Sequence, residues 1–112
     1  MQEALLVFIT VPNEEVANLF ANELVTSKLA ACINIIPNVT SIYSYQGKIH
    51  KDNELQLIIK TSKSCYERLE EWISNNHPYE VPEIIFANIA GGSAKYINWL
   101  TKECKQNDTD KA

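Results

Sequence analysis

The run Val39-Thr40-Ser41-Ile42-Tyr43-Ser44-Tyr45-Gln46-Gly47-Lys48-Ile49-His50-Lys51-Asp52-Asn53-Glu54-Leu55-Gln56-Leu57-Ile58-Ile59-Lys60-Thr61 decides the fold. Gln46-Gly47 is its one turn signal. Before the turn stand β-branched and aromatic residues; after it, Leu55, Leu57 and Ile59 alternate against Lys48, His50, Asp52, Glu54, Gln56 and Lys60. Alternation at period two makes a half-buried strand, so the run is a β-hairpin with arms 39–45 and 48–61. Residues 30–36 form a further apolar strand upstream, broken at Pro37-Asn38. A proline inside such a run marks a bulge or an edge, so the first arm is one long bent strand or two collinear pieces. Strands usually run about 5–6 residues, and a hairpin this long must reach beyond the domain that owns it.

Outward from the hairpin, residues 4–11 are apolar on both alternating faces, the pattern of a strand covered above and below. Pro12 stops it. Asn13 is a good N-cap, Glu14 and Glu15 suit the positive end of a helix dipole, and Val16, Phe20 and Leu24 recur at helical spacing to about Lys28. On the other side, Ser64 and Glu67 form a capping box for a second helix with the stripe Cys65, Leu69, Trp72 and Ile73, ending near Asn76. Residues 84–89 are a last strand, apolar on both faces; Gly91-Gly92 is a turn, and Ser93 caps a helix carrying Tyr96, Ile97 and Leu100. The chain is therefore one domain over 1–104 with a frayed polar tail over 105–112.

The order β-α-β-β-α-β with an appended helix is the α+β, ferredoxin-like arrangement. In that fold two helices cover one face of a four-stranded sheet and leave the other open. The first and last strands are nonetheless apolar on both faces, so something must cover the second face. With so little chain left over, another copy of the same chain is expected there.

Composition narrows the function. A net charge of −4 and a pI near 5.1 argue against nucleic acid or an anionic membrane surface as partner. No apolar stretch is long enough to span a bilayer, and no basic segment precedes the first strand, so a cytoplasmic protein is expected. Cys32, Cys65 and Cys104 are odd in number, widely spaced and without a C-x-x-C pair, which suggests free thiols rather than disulfides or a zinc knuckle. No nucleophile elbow, P-loop or dinucleotide-binding glycine pattern is present, and no catalysis is expected.

The densest cluster of special residues is His77-Pro78-Tyr79-Glu80-Val81-Pro82-Glu83. Its two prolines push His77 and Val81 toward extended backbone and stiffen the connector. His77, Glu80 and Glu83 offer imidazole and carboxylate ligands suited to Cu(II) or another divalent transition ion; the competing role is structural hydrogen bonding. His50, Asp52 and Glu54 share one strand face as a weaker cation site, although about 7 Å separates neighbours on such a face and a solvated face is the simpler alternative. Cys32 lies in an apolar strand, where a thiol is ordinarily inert packing. Lys48, Lys60 and Lys95 are too scattered to form an anion site. At the hairpin tip Tyr43, Tyr45, Gly47 and Lys48 lie too far from the helices to be buried by them and are expected against a neighbouring subunit.

Several of these segments, in this order, resemble one family: Ala31-Cys32-Ile33-Asn34-Ile35-Ile36-Pro37, Thr40-Ser41-Ile42-Tyr43, Gly47-Lys48-Ile49, Ile59-Lys60-Thr61 and His77-Pro78-Tyr79-Glu80-Val81-Pro82-Glu83-Ile84-Ile85. They look like the signature of the CutA divalent-cation tolerance proteins, with Cys32, Lys60, Pro78, Tyr79 and Pro82 among the motif residues. The resemblance implies a ferredoxin-like homotrimer, similar in architecture to the PII signalling proteins, linked to tolerance of divalent cations, copper first among them. Three positions depart from the family pattern: Tyr45 replaces a usual tryptophan, and Ile9 and Asn76 stand where some members carry a cysteine and a second histidine. Copper ligation through those two positions is unavailable, so a metal site must rest on His77 and its neighbours. Two alternatives remain: a PII-like sensor of a small anionic metabolite at subunit clefts, and a structural scaffold trimer.

Overall fold

The computed structural model describes residues 3–104; the expected frayed tail lies outside them. Four strands, β1 (Ala4–Val11), β2 (Cys32–Tyr45), β3 (Lys48–Ser62) and β4 (Ile84–Asn88), form one antiparallel sheet in the order β2-β3-β1-β4. Three helices accompany it: α1 (Glu14–Thr26), α2 (Tyr66–Asn76) and α3 (Ala94–Glu103). This is the ferredoxin-like fold.

Strand alternation sorts the side chains. Leu5, Val7, Ile9 and Val11 of β1 and Leu57 and Ile59 of β3 are fully buried, against Phe20 and Leu24 of α1, Leu69 and Ile73 of α2 and Leu100 of α3. Burying such a side chain contributes roughly 1.5–3 kcal/mol, so this one apolar layer dominates the stability. The sheet's other face stays partly open: Ile85 is 57% exposed, and Phe8 and Ile58, its neighbours in register, are only half-buried. The apolar pattern predicts a β4 covered on both sides, but within one chain most of it faces outward.

β2 is one continuous strand with a bulge between Ile36 and Val39, where Asn38 takes φ +62°. The turn at Gln46 (φ +52°) and Gly47 (φ +79°) has two positive φ values, the two-residue hairpin geometry whose twist matches that of the strands. The hairpin carries the molecule to a length of 49 Å against 28 and 24 Å in the other directions.

Asn13 caps α1 through Oδ1, which accepts the Val16 N–H at 2.8 Å, and Ser93 caps α3 by accepting from Tyr96 N at 3.1 Å. The start of α2 differs from expectation. A 3-10 turn over Lys63–Cys65 comes first, so Ser64 lies inside it and Cys65 occupies the cap position with no side-chain cap bond. Helix α1 ends at Thr26, and Lys28 adopts φ +67° as the chain reverses into β2.

Candidate binding cavity

A cavity of about 680 Å³ lies on the sheet's open face, between the projecting hairpin and the connector from α2 to β4. The strands contribute Thr10, Ser41, Asp52 and Glu54, the hairpin adds Ile42, Tyr43 and Tyr45, and the connector supplies Tyr79, Glu80, Val81, Pro82 and Glu83. The bulge creates this arrangement. Beyond it Ser41, Tyr43 and Tyr45 register opposite Asp52, His50 and Lys48, so the tyrosines share a face with the carboxylates of β3.

The connector is anchored from behind. Pro78 holds His77 extended at φ −76°, ψ 139°, and the His77 N–H closes α2 onto Ile73 O at 2.8 Å. The imidazole is buried, with Nε2 2.8 Å from Thr10 O, while Nδ1 accepts the Tyr79 N–H at 3.1 Å. This pair of partners fixes the neutral tautomer with the proton on Nε2. The ring lies edge-on to Phe20 at 5.7 Å and tilted against Tyr79 at 4.7 Å. His77 therefore has no lone pair left for a metal, and His77, Glu80 and Glu83 do not form the ligand group expected of them. Among the described residues no three His, Cys, Asp or Glu side chains are placed to hold a metal ion.

In front of this anchor the Tyr79 hydroxyl donates to Glu54 Oε2 at 2.6 Å, tying the connector to β3. Tyr43 donates to Asp52. Burial, then the bond to Glu54, raises the Tyr79 phenol above its ordinary range. The Tyr43 phenol is also raised, chiefly by its bond to Asp52. Burial and the nearby Glu54 charge push the Glu83 carboxyl up. Among the described residues no lysine, arginine or histidine lines the cavity. An anion there would meet the carboxylates of Asp52, Glu54, Glu80 and Glu83 and no cation.

Of the weaker trio, Asp52 and Glu54 do face the cavity, whereas His50 stacks on Tyr43 with ring centroids 5.2 Å apart and its Nε2 3.3 Å from Tyr45 O. Tyr43 and Tyr45 thus find contacts within their own chain, yet both remain exposed beside Ile42 and Ile49. Gly47 and Lys48 form the exposed tip. Cys32 and Lys60 pair across β2 and β3, farther along the sheet: the Lys60 ammonium donates to Cys32 Sγ at 3.9 Å and sits 5.9 Å from the Tyr96 ring centroid. A Cys32–His77 couple does not form, since both ring nitrogens bind backbone. Sequence reasoning missed Thr10, Ser41 and Ile42. Strand alternation puts Thr10 and Ser41 on the Glu54 side, but nothing local announces that the connector closes over them.

The sheet order, the one-sided helices and an acidic cavity under a two-proline connector define a ferredoxin-like domain with a projecting hairpin. The chain belongs to the CutA1 divalent ion tolerance protein family, whose model matches residues 5–103. It is 49% identical over 94 residues to the divalent-cation tolerance protein CutA of Thermus thermophilus, covering 84% of this chain and 91% of that one. It is 48% identical over 97 residues to the chloroplastic protein CutA of Arabidopsis thaliana, matching 87% of this chain but 53% of that longer relative. The chain thus spans about half the length of the plant relative. Solved structures agree: that of the Thermus thermophilus protein superposes with a TM-score of 0.88 at 46% identity, covering 94% of this chain and all of the other. CutA1 from Oryza sativa gives 0.90 at 41% identity, covering 94% and 96%.

Proposed function

We propose that the protein acts in divalent-cation tolerance as a cytoplasmic homotrimer that binds the ion weakly and carries out no catalysis. The observation behind this reading is the concentration of Asp52, Glu54, Glu80 and Glu83 around one cavity that no basic side chain lines among the described residues. Hard carboxylate oxygens suit divalent cations, and the like charge of Glu54 near Glu83 is relieved by one. With no three ligands converging among the described residues of one chain, water or a second subunit's side chains complete the shell. The trimer is supported by the apolar surface left bare at Ile42, Ile49, Ile85 and Val81, each more than half exposed. The tip residues Tyr43, Tyr45, Gly47 and Lys48 are assigned to that interface.

Copper remains the first ion to test; His77 is committed to Thr10 and Tyr79, so the imidazole left for it is that of His50, which lies beside the cavity lining on the strand face it shares with Asp52. Copper titration of the wild type, His50→Ala and His77→Ala at neutral pH, with light scattering for mass, tests the reading. The expected result is a trimer whose copper affinity falls in His50→Ala and holds in folded His77→Ala. A folded, soluble monomer, or affinity unmoved by His50→Ala and by Glu54→Gln, refutes it. The charge of the cavity disfavours the anionic-metabolite sensor, for which no cationic group among the described residues is at hand.

A further inference from the structure

We infer that His77 is an acid-operated latch: seated as the neutral imidazole it holds the connector from α2 to β4 against β1, and taking up a proton releases that connector. The geometry of the joint carries this independently of the metal reading.

The two bonds of the ring make opposite demands. Nε2 donates to the Thr10 carbonyl at 2.8 Å and must keep its proton, whereas Nδ1 accepts the Tyr79 N–H at 3.1 Å and must keep a bare lone pair. Only the neutral imidazole meets both. In the imidazolium each nitrogen is a donor, so Nδ1–H confronts the N–H it now accepts and the bond turns into a repulsion. Pro78 lies between the two residues and fixes the backbone, so Tyr79 N–H cannot swing aside while His77 stays seated.

The surroundings offer the charge no partner. The ring is 9% exposed and is faced by the Thr10 carbonyl from β1, by the Phe20 ring of α1 at 5.7 Å and by the Tyr79 ring of the connector at 4.7 Å, while α2 supplies Ile73 O to its backbone N–H. Of these only Tyr79 titrates, and burial keeps its phenol neutral. Glu54 stands beyond, on the Tyr79 hydroxyl at 2.6 Å, and among the described residues no carboxylate pairs with the ring. A buried cation without a partner is costly, so the proton goes to the ring once it has left its seat, and acid draws the connector toward its open state.

The connector's own acid acts with the opposite sign. Burial and the Glu54 charge raise the Glu83 carboxyl, so protonating Glu83 favours the closed connector, and opening in acid singles out His77. The chain's other histidine, His50, stacks on Tyr43 in the hairpin. Release separates Tyr79 from Glu54 and parts Glu80, Val81 and Glu83 from β3. Acid thereby undoes the connector's share of the surface assigned above to a neighbouring subunit; that consequence rests on the trimer reading, whereas the latch is tested without it.

The test is amide exchange of the full chain by NMR at about pH 7.5 and about pH 5, corrected for the intrinsic exchange rate, with the imidazole nitrogens followed in the same samples. An imidazole in water titrates near about pH 6.5, so if the seated ring takes no proton, the open population, read as lost protection at the Tyr79 N–H, rises about thirtyfold between the two conditions. His77→Gln retains a side-chain donor for Thr10 and cannot titrate, and its protection is expected to change less than about threefold. A wild-type rise below about threefold, or an equal rise in folded His77→Gln, overturns the inference. If the variant does not fold, the nitrogens decide: imidazolium signals are expected to grow in step with the lost Tyr79 protection. A ring that protonates while Tyr79 stays protected overturns the inference, as does a connector that opens around a neutral ring.

Discussion

Replacing His77 by alanine removes the joint between α2, the end of β1 and the connector, and its cost follows from the three interactions the imidazole makes. The Thr10 carbonyl loses a buried donor at 2.8 Å; leaving one partner of such a bond unsatisfied costs about 1–3 kcal/mol. The Tyr79 N–H loses its acceptor at 3.1 Å, but Tyr79 is half-buried and water can replace the imidazole, so this second loss counts at the low end. The edge-on packing with Phe20 adds about 0.5–1.5 kcal/mol. The sum is about 2.5–5.5 kcal/mol, a large fraction of the roughly 5–15 kcal/mol that holds a domain of this size together. Urea unfolding followed by tryptophan fluorescence measures it, and Trp72, whose ring centroid is 4.9 Å from that of Phe20, reports on the affected region. A loss below about 1 kcal/mol would show that the imidazole is not a structural joint and would return it to the pool of candidate ligands.

Four other expectations rest on equally specific features. Gly47→Ala should cost about 1 kcal/mol in thermal unfolding, because a Cβ there meets no atom within 4 Å and the whole penalty comes from holding φ at +79°. A double-mutant cycle of Tyr79→Phe and Glu54→Gln should show at least about 1 kcal/mol of coupling, and additive effects would deny that the 2.6 Å bond matters. Burial pushes the Cys104 thiol up to about 11 from an ordinary value of 9.0, so the folded state favours its protonated form: that contribution is intact below pH 9.0 and lost as pH rises toward 11. Cys104→Ala should flatten alkaline unfolding in that window, and native-state alkylation should mark half-buried Cys32 before Cys104. Deleting residues 45–48 should abolish the trimer mass in light scattering while leaving β1, α1 and α2 folded by circular dichroism; an unchanged mass removes the tip from the interface.

Much of the fold was legible because its signals are local. Alternation at Leu55, Leu57 and Ile59 set the buried face of β3, Asn13 and Ser93 marked helix starts that are capped as expected, and Pro37-Asn38 marked the bulge. Ser64 misled because a cap motif records a preference for a turn, which here was satisfied by a 3-10 segment one residue too early for α2. The site was harder to read. The connector was visibly special, but the use of His77 depended on Thr10, sixty-seven residues away, and spacing holds no trace of that meeting. Glu54 resembled any solvated acid of an alternating strand. Only the fold of the connector over the open face buries it, and that closure is a tertiary event.

The bulge at Pro37-Asn38 also makes the hairpin a matter of parity. Upstream of it the even-numbered residues of β2 share a face with the even-numbered residues of β3, as Cys32 does with Lys60; downstream the odd-numbered ones do, as Tyr43 does with His50. One extra residue therefore acts as a frame shift for side chains. Ironing the bulge out at constant chain length would slip the arm by one position, set Ile42 opposite His50 and Ser44 opposite Lys48, and send Tyr43 and Tyr45 to the other side. The composition of the arm would survive the slip, but its two faces would exchange their contents: the cavity would keep its acids and the Tyr79 phenol and lose those of Tyr43 and Tyr45. Deleting Asn38 does the reverse, since the ladder then runs without interruption from the Ile36–Gln56 pair to the Val39–Glu54 pair and each face keeps what it holds. In this hairpin the place where the backbone absorbs one odd residue, as much as the identity of any side chain, specifies which chemistry meets which.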